Sequence, residues 1–462
     1  MTDQAHNMAL DIVILAAGKG TRMKSALPKV LHRLAGRPLL AHVLDTCATL
    51  HARRTVVVTG YSADEVERGV AERGVRCVRQ EPQLGTGHAV QQAAPLLDDD
   101  GTTLILSGDV PLIGADTVCE LVKACDGRQL ALLTLELDDP GGYGRIVREG
   151  TVVRGIVEHK DASAGQRAIR EVYTGIMAAP TAALKRWLGQ LTNQNAQREY
   201  YLTDVVAMAV ADGVPVTTHA ARDETEVLGV NSAAQLAELE RRVQRRTADA
   251  LMDAGVRLAD PARLDVRGEL QCGSDVEIDV NCVFEGRVAI GDGARIGAHC
   301  VIRDTTIGAR AEIMPFCHFT DAAIGEAAQV GPFARLRPGA QLGPEVHIGN
   351  FVEVKNSTLA RGAKANHLAY LGDSTVGERV NYGAGSITAN YDGANKHRTV
   401  LGDDVHVGSN CVLVAPLTIG DGATIGAGSV ISKAAPSGQL TVARARQTTI
   451  AGWSRPVKKK KP

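Results

Sequence analysis

Apolar and polar positions follow three successive patterns along the chain. Up to about residue 231, short apolar runs alternate with amphipathic stretches. Ile12-Val13-Ile14-Leu15, Thr55-Val56-Val57-Val58-Thr59 and Thr103-Leu104-Ile105-Leu106 read as buried strands. Helical patterns such as Pro38–Leu50 and Gly87–Leu97 lie between them. Strands alternating with helices predict βαβ units and a Rossmann-like α/β domain with a mainly parallel sheet. In such sheets ligands bind beyond the C-terminal strand ends.

The second pattern is one helix. From Ala233 to Ala254 the chain is rich in Ala, Leu, Glu and Arg and free of Gly and Pro, with Leu236, Leu239, Val243 and Leu251 along one face. About 20 residues at 1.5 Å each span roughly 30 Å, which suits a connecting helix. The third pattern begins after Gly268. Aliphatic or aromatic residues recur every six: Ile278, Phe284, Ile290, Ile296, Ile302, then Ile307, Ile313, Phe319, then Ile324, Val330, Leu336, Leu342, Ile348, Val354, and later Val407, Leu413, Ile419, Ile425, Ile431. Such a period matches a hexapeptide β-helix, in which three repeats close one triangular coil and stability comes from stacking neighbours. Handedness does not follow from the period. The expected division is 1–233, a linker helix 234–254, and a β-helix 255–462 with a basic tail.

Composition narrows the partners. The net charge of −1 gives no support for nucleic acid, and the one basic run, Lys458 to Lys461, reads as a solvated tail. Nine scattered cysteines without a C-x-x-C pair point to free thiols in a reducing compartment. No apolar run approaches the ~20 residues of a membrane span, and the polar opening Met1–Asn7 lacks a secretory pattern. The expectation is a cytoplasmic enzyme without membrane contact.

Directly after the first strand stand Leu15-Ala16-Ala17-Gly18-Lys19-Gly20-Thr21-Arg22-Met23 and then Leu27-Pro28-Lys29. Small residues let backbone N–H groups approach a base and phosphates. Arg22 and Lys29 suit the charge on a triphosphate and on departing pyrophosphate. Ser107-Gly108-Asp109 closes a buried strand, and a hard carboxylate there suits Mg²⁺. Here the chain resembles the sugar-phosphate nucleotidyltransferases. The resemblance implies base recognition by Gln80 and the Gln83–His88 segment, with Gly85 and Thr86, and makes Asn231 a second metal ligand beside Asp109. It also implies sugar contacts from Gly144 and Glu158, and from Tyr173, which stands where many relatives carry Asn. The sugar phosphate would itself attack the α-phosphorus, so no covalent nucleophile is needed.

The hexapeptide ladder is interrupted twice. One segment holds Arg337-Pro338-Gly339, Asn350–Lys355 and Lys364-Ala365-Asn366-His367-Leu368-Ala369-Tyr370-Leu371-Gly372-Asp373; the other is Asn381–Lys396. The second abandons the six-residue beat and is expected to leave the coil as a loop. Arg337, Lys355 and Lys396 suit a sugar phosphate, and His367 suits general-base work on an amine attacking a thioester. Together both halves resemble a bacterial bifunctional family that joins N-acetylglucosamine-1-phosphate uridylyltransferase to glucosamine-1-phosphate N-acetyltransferase. That resemblance covers roughly Asp11 to Arg455. It implies UTP and acetyl-CoA as substrates, a left-handed β-helix, a homotrimer, and acetyl transfer preceding uridylyl transfer in cell-wall precursor synthesis. On it Tyr370 and Asn381 touch the amino sugar, while Ala384, Asn390, Tyr391, Ser409, Ala427 and Arg444 line the coenzyme. The alternatives are a nucleotidyltransferase with a purely structural or regulatory β-helix and, more distantly, a non-enzymatic assembly subunit.

Overall fold

The computed structural model describes residues 9–458; the opening Met1–Asn7 and the basic Lys459–Lys461 lie outside the described residues. The chain divides into two compact units, residues 1–243 and 244–462.

In the first unit the strands Leu10–Leu15, Arg54–Thr59, Arg76–Arg79 and Thr102–Ser107 form a parallel block with Leu10–Leu15 between Arg54–Thr59 and Thr102–Ser107. Their apolar runs are buried on both faces: Ile12, Val13 and Ile14 have no exposed surface, as a sheet covered by helices requires. The sheet is mixed beyond this block, because Glu171–Pro180 runs antiparallel to both of its neighbours and to Gly144–Glu149. The helix expected over Gly87–Leu97 spans Thr86–Ala93 and tightens to a 3₁₀ turn over Ala94–Leu96, at Pro95. A proline inside a helix cannot supply the N–H for the next bond.

The helix Ala233–Asp253 contains the boundary between the units. Its first half buries Leu239 among Met23, Leu34, Leu39 and Val230 of the first unit. Its second half buries Ala248 in the core of the second.

The second unit is a left-handed parallel β-helix of hexapeptide repeats. Every residue of the six-residue series is buried. One column runs Ile278, Ile296, Ile313, Val330, Ile348, Ala365, Tyr382, Val407, Ile425, each paired in parallel register with the next. The first face carries this column, and the second and third faces follow it along each coil. At the corner between the first and second faces His299, Phe316, Phe333, Phe351 and Leu368 adopt positive φ.

One expectation for this unit needs correction, the extent of the loop expected over Asn381–Lys396. Arg335–Leu336, Ala340–Leu342, His347–Asn350, Glu353–Lys355, Lys364–His367 and Tyr370–Gly372 are all rungs of the coil, so the first interruption never leaves it. The second leaves later than expected: Asn381–Tyr382 and Ile387–Ala389 are still rungs, and only residues 390–398 depart. Some inward positions here are filled by residues other than Ile, Leu or Val. Ala365 and Tyr382 are buried, and Thr388 is buried with its hydroxyl accepting from the Gly372 N–H at 2.8 Å and donating to the Gly372 carbonyl at 3.0 Å. A satisfied hydroxyl substitutes for an aliphatic side chain.

Candidate active sites

The first site sits beyond the C-terminal ends of Leu10–Leu15 and Thr102–Ser107. A cavity of about 350 Å³ there is lined by Leu15, Ala16, Ala17, Gly18 and Lys29 on one side and by Gln80, Gly85, Thr86, Ser107 and Asp109 on the other. The structure thus brings together residues from four separate segments. Gly108 donates its N–H to the Leu15 carbonyl at 2.9 Å and locks the two strand ends side by side. Gly20 has φ of 59°, and a Cβ there would lie 2.7 Å from the Lys29 Cβ; any side chain would displace Lys29. Arg22 is exposed in the short turn Thr21–Met23, outside the cavity wall. Gln80 is buried, and its amide donates to the Gly85 carbonyl at 2.9 Å, which fixes the glycine segment beside it. The wall also holds Lys19 and Glu199; Glu199, far away in sequence, belongs to no motif that marks it.

Lys29 Nζ reaches both Asp109 Oδ2 and Asn231 Oδ1, the latter at 3.1 Å. Ser107 Oγ donates to the other Asp109 oxygen at 2.5 Å, and the Val230 N–H donates to the Asp109 carbonyl at 3.0 Å. Two hard oxygens from distant segments therefore converge on one cationic point, a donor set that fits Mg²⁺ completed by phosphate oxygens.

Gly144, Glu158 and Tyr173 converge on one another, and none of the three lines this cavity. Gly144 is the cross-strand partner of Tyr173, and a Cβ on Gly144 would lie 3.7 Å from both Glu158 carboxylate oxygens. Burial pushes the Glu158 carboxyl above its ordinary range, against the Thr203 hydroxyl that donates to it at 3.0 Å. Tyr173 is buried, its phenol is pushed up by burial and by Glu158, and its hydroxyl has no hydrogen-bond partner among the described residues. The Tyr143 phenol is raised by burial, then by Glu224 and Asp109.

The second site lies on the β-helix around the corner between the first and second faces. His367 ends a first-face rung, one coil after Asn350. Its Nδ1 lies 3.1 Å from Asn350 Oδ1. An amide oxygen only accepts, so Nδ1 carries a hydrogen, and in the neutral ring Nε2 carries the lone pair. Tyr370 starts the next second-face rung, with its hydroxyl over Gly372, where a Cβ would lie 2.3 Å away. At the far end of that face stand Arg337 and Lys355, and Lys396 reaches them from the departing loop. Arg337 donates to Glu353 Oε1 at 2.8 Å. Lys396, and then Arg337, hold the Lys355 ammonium below its ordinary range. Three clustered cations, of which Arg337 is already paired with Glu353, have the charge that suits an anion. Asn381 lies on the first face, 3.5 Å from His406, across the corner from Tyr370.

The coenzyme candidates separate into two groups. The Asn410 N–H donates to the Ala384 carbonyl, the Gly428 N–H to the Ser409 carbonyl, and Arg444 Nη1 to the Ala427 carbonyl at 2.7 Å. The first group therefore climbs one corner, and the Gly385 N–H to His367 carbonyl bond joins it to His367. Asn390 and Tyr391 belong to the loop at the opposite edge of the second face. Asn390 Nδ2 donates to Asp373, and the Tyr391 hydroxyl donates to the Gly393 carbonyl at 2.6 Å. Asn350 and Asp373, to which motif reading attached no role, hydrogen-bond to candidate residues, Asn350 to His367 and Asp373 to Asn390. The register offered a signal for Asn350, because it stands one coil before His367.

A larger groove of about 460 Å³ crosses the first coils between Leu258, Ile278 and Ile313, and contains none of the motif residues; size alone does not mark the chemistry here.

An α/β sheet with a small-residue phosphate loop, followed by a β-helix that presents an oriented imidazole and an anion cradle, defines a nucleotidyltransferase joined to a hexapeptide acyltransferase. Family models agree: a MobA-like NTP transferase domain matches residues 12–174, a bacterial hexapeptide transferase model (six repeats) matches 271–304, and a GMPPB C-terminal domain matches 321–419. The "Bifunctional protein GlmU" of Methylibium petroleiphilum is 73% identical over 98% of this chain and 100% of its own length. Proteins of the same name from Paracidovorax citrulli, 66% identical, and Polaromonas naphthalenivorans, 68% identical, each cover 97% of the chain, and 99% and 98% of their own lengths. The chain belongs to the bifunctional GlmU family and is an enzyme with nucleotidyltransferase and acetyltransferase activities.

Proposed function

We propose that the second unit acetylates glucosamine-1-phosphate with acetyl-CoA, and that the first unit then joins UMP from UTP to the N-acetylated product, releasing pyrophosphate. The observation that carries this reading is the second face of the β-helix. It has a free imidazole nitrogen at one edge and three clustered cations at the other. A purely structural coil has no use for either. His367 Nε2 takes the proton from the amine as it attacks the thioester, Asn350 holds the ring, and Arg337, Lys355 and Lys396 hold the phosphate. Tyr370 and Asn381 orient the amino sugar, and the corner from Ala384 to Arg444, with Asn390 and Tyr391, takes the coenzyme. A thiol-release assay with glucosamine-1-phosphate and acetyl-CoA tests this, and no release at any substrate concentration refutes it.

In the first unit Leu15, Ala16, Ala17 and Gly18 admit the nucleotide, and Gln80, Gly85 and Thr86 read the base. Ser107 and Gly108 hold the floor, and Gly144, Glu158 and Tyr173 enclose the sugar. Arg22 and Lys29 stabilise the departing pyrophosphate. Asp109 and Asn231 would hold Mg²⁺, which neutralises phosphate charge when bound. Asp109→Ala is expected to abolish pyrophosphate release at saturating Mg²⁺ while leaving thiol release intact; near-normal pyrophosphate release removes the assignment.

The same reading makes the enzyme a cytoplasmic homotrimer. His299, Phe316, Phe333 and Phe351 stack with centroids about 5 Å apart along one corner, and the three phenylalanines and Leu368 are exposed. This apolar edge runs into the corner that bears His367, and a second copy there buries the edge and completes the site. Among the described residues no helix is long and apolar enough to cross a membrane.

A further inference from the structure

The loop that leaves the coil at 390–398 is closed by its own side chains. Asp392 Oδ1 accepts from the N–H groups of Ala394 and Asn395 at 2.8 and 2.7 Å, and its other oxygen lies 2.6 Å from His397 Nε2. The His397 N–H donates to the Asn390 carbonyl at 2.8 Å, and Tyr391 bridges to Lys396. The base of the loop is anchored by the buried Asp373, whose two oxygens take one amide each from Asn356 and Asn390. Past the loop, Arg398 Nε donates to Thr375 Oγ1 at 2.9 Å.

The clamp has a cost to offset. Lys396 stands beside Lys355, and like charges repel. Left free, an exposed loop relieves that repulsion by swinging Lys396 into water. Asp392 is held well below the ordinary carboxylate range by the Asn395 N–H, His397 and the Ala394 N–H, so it stays ionised as a permanent partner for the imidazole.

We propose that His397 is a positioning residue for acetyl transfer: through Asp392 it holds the 390–398 loop closed and keeps Lys396 against Lys355, where the acceptor's phosphate binds. The inference rests on reading Arg337, Lys355 and Lys396 as the phosphate cradle. His397 touches neither substrate; it sets the geometry of a residue that does.

The test is steady-state acetyl transfer by the full-length enzyme. His397→Ala and Asp392→Asn are each expected to raise KM for glucosamine-1-phosphate about three- to fivefold, the range for an exposed ion pair, with kcat within about twofold and a smaller rise in KM for acetyl-CoA, whose candidate contacts Asn390 and Tyr391 sit on the same loop. The double variant is expected to match the single ones, and His397→Gln, which keeps a donor, to recover part of the loss. In a Lys396→Ala background His397→Ala is expected to be silent. A collapse of kcat, an equal KM penalty in the Lys396→Ala background, or an unchanged KM in His397→Ala overturns the proposal. If Lys396→Ala itself leaves KM unchanged, the phosphate cradle is wrong, and the proposal falls with it. Uridylyl transfer and the melting temperature, unchanged in every variant, separate these outcomes from misfolding.

Discussion

At the residue scale Tyr173 and Tyr382, the two buried phenols without a hydrogen-bond partner among the described residues, are the most informative side chains. A buried hydroxyl that makes no hydrogen bond forfeits its hydration, at a cost of order 1 kcal/mol. Tyr173→Phe and Tyr382→Phe are therefore each expected to raise the melting temperature. Only Tyr173→Phe is expected to change KM for the sugar phosphate in uridylyl transfer, because Tyr173 sits with Gly144 and Glu158 and Tyr382 lies inside the coil. Equal sugar KM values for both variants remove Tyr173 from the sugar pocket. Glu158 adds a pH dependence whose sign is fixed. Its carboxyl is raised in the folded state by burial, so the folded protein binds the proton more tightly than the unfolded chain. Its contribution is present below the ordinary carboxylate range and is lost as pH rises through the raised value. Glu158→Gln removes that loss, so thermal melts are expected to show a stabilisation that grows as pH rises above the ordinary carboxylate range. Motif residues such as Asp109 and His367 were legible in the sequence because fixed spacing marks them. Glu199 was not, since nothing local records which distant segment folds against it, and Asp373 stood inside the motif with no role attached to it.

At the scale of elements, repeated patterns were legible and interruptions were not. The six-residue beat marks inward positions only where they are aliphatic or aromatic. Ala365 and Thr388 satisfy the same positions by small size or by a closed hydrogen-bond pair, so the beat vanished while the coil went on. The end of the linker helix hides a similar exchange. Gln244 is a polar residue in the helix, yet it is buried and pairs like a strand. Its Nε2 donates to the Val266 carbonyl at 2.8 Å, and its Oε1 accepts the Val266 N–H at 2.7 Å. The side chain thereby satisfies backbone groups of the first coil. Gln244→Ala leaves both unpaired in a buried place, and about 2–3 kcal/mol of stability is expected to be lost from the β-helix unit. Calorimetry on the 244–462 unit with and without the substitution checks this, and a change below about 0.5 kcal/mol shows that water or a rearranged coil replaces the amide.

At the scale of the whole molecule the two chemistries use different residues on different units, so they should fail separately. His367 and its supports belong to residues 244–462, and Lys29, Asp109 and Asn231 to residues 1–243. Removal of a general base typically costs about 10²–10⁴-fold in rate. His367→Ala is thus expected to cut thiol release by that order, almost equally at every pH at which the wild type works, because the base is absent rather than mistuned. Asn350→Ala, which frees the imidazole but leaves it present, is expected to cost less. Uridylyl transfer in both variants is expected to stay within about twofold of wild type, since sites that share no residues or partners behave additively. Sedimentation is expected to report the same oligomer for all three proteins, because neither side chain belongs to the stacked corner of His299, Phe316, Phe333 and Phe351. A parallel collapse of both activities identifies His367 as a structural residue. If thiol release in His367→Ala stays near normal, the proton leaves the amine by another group, and the free Nε2 on the corner has some other use.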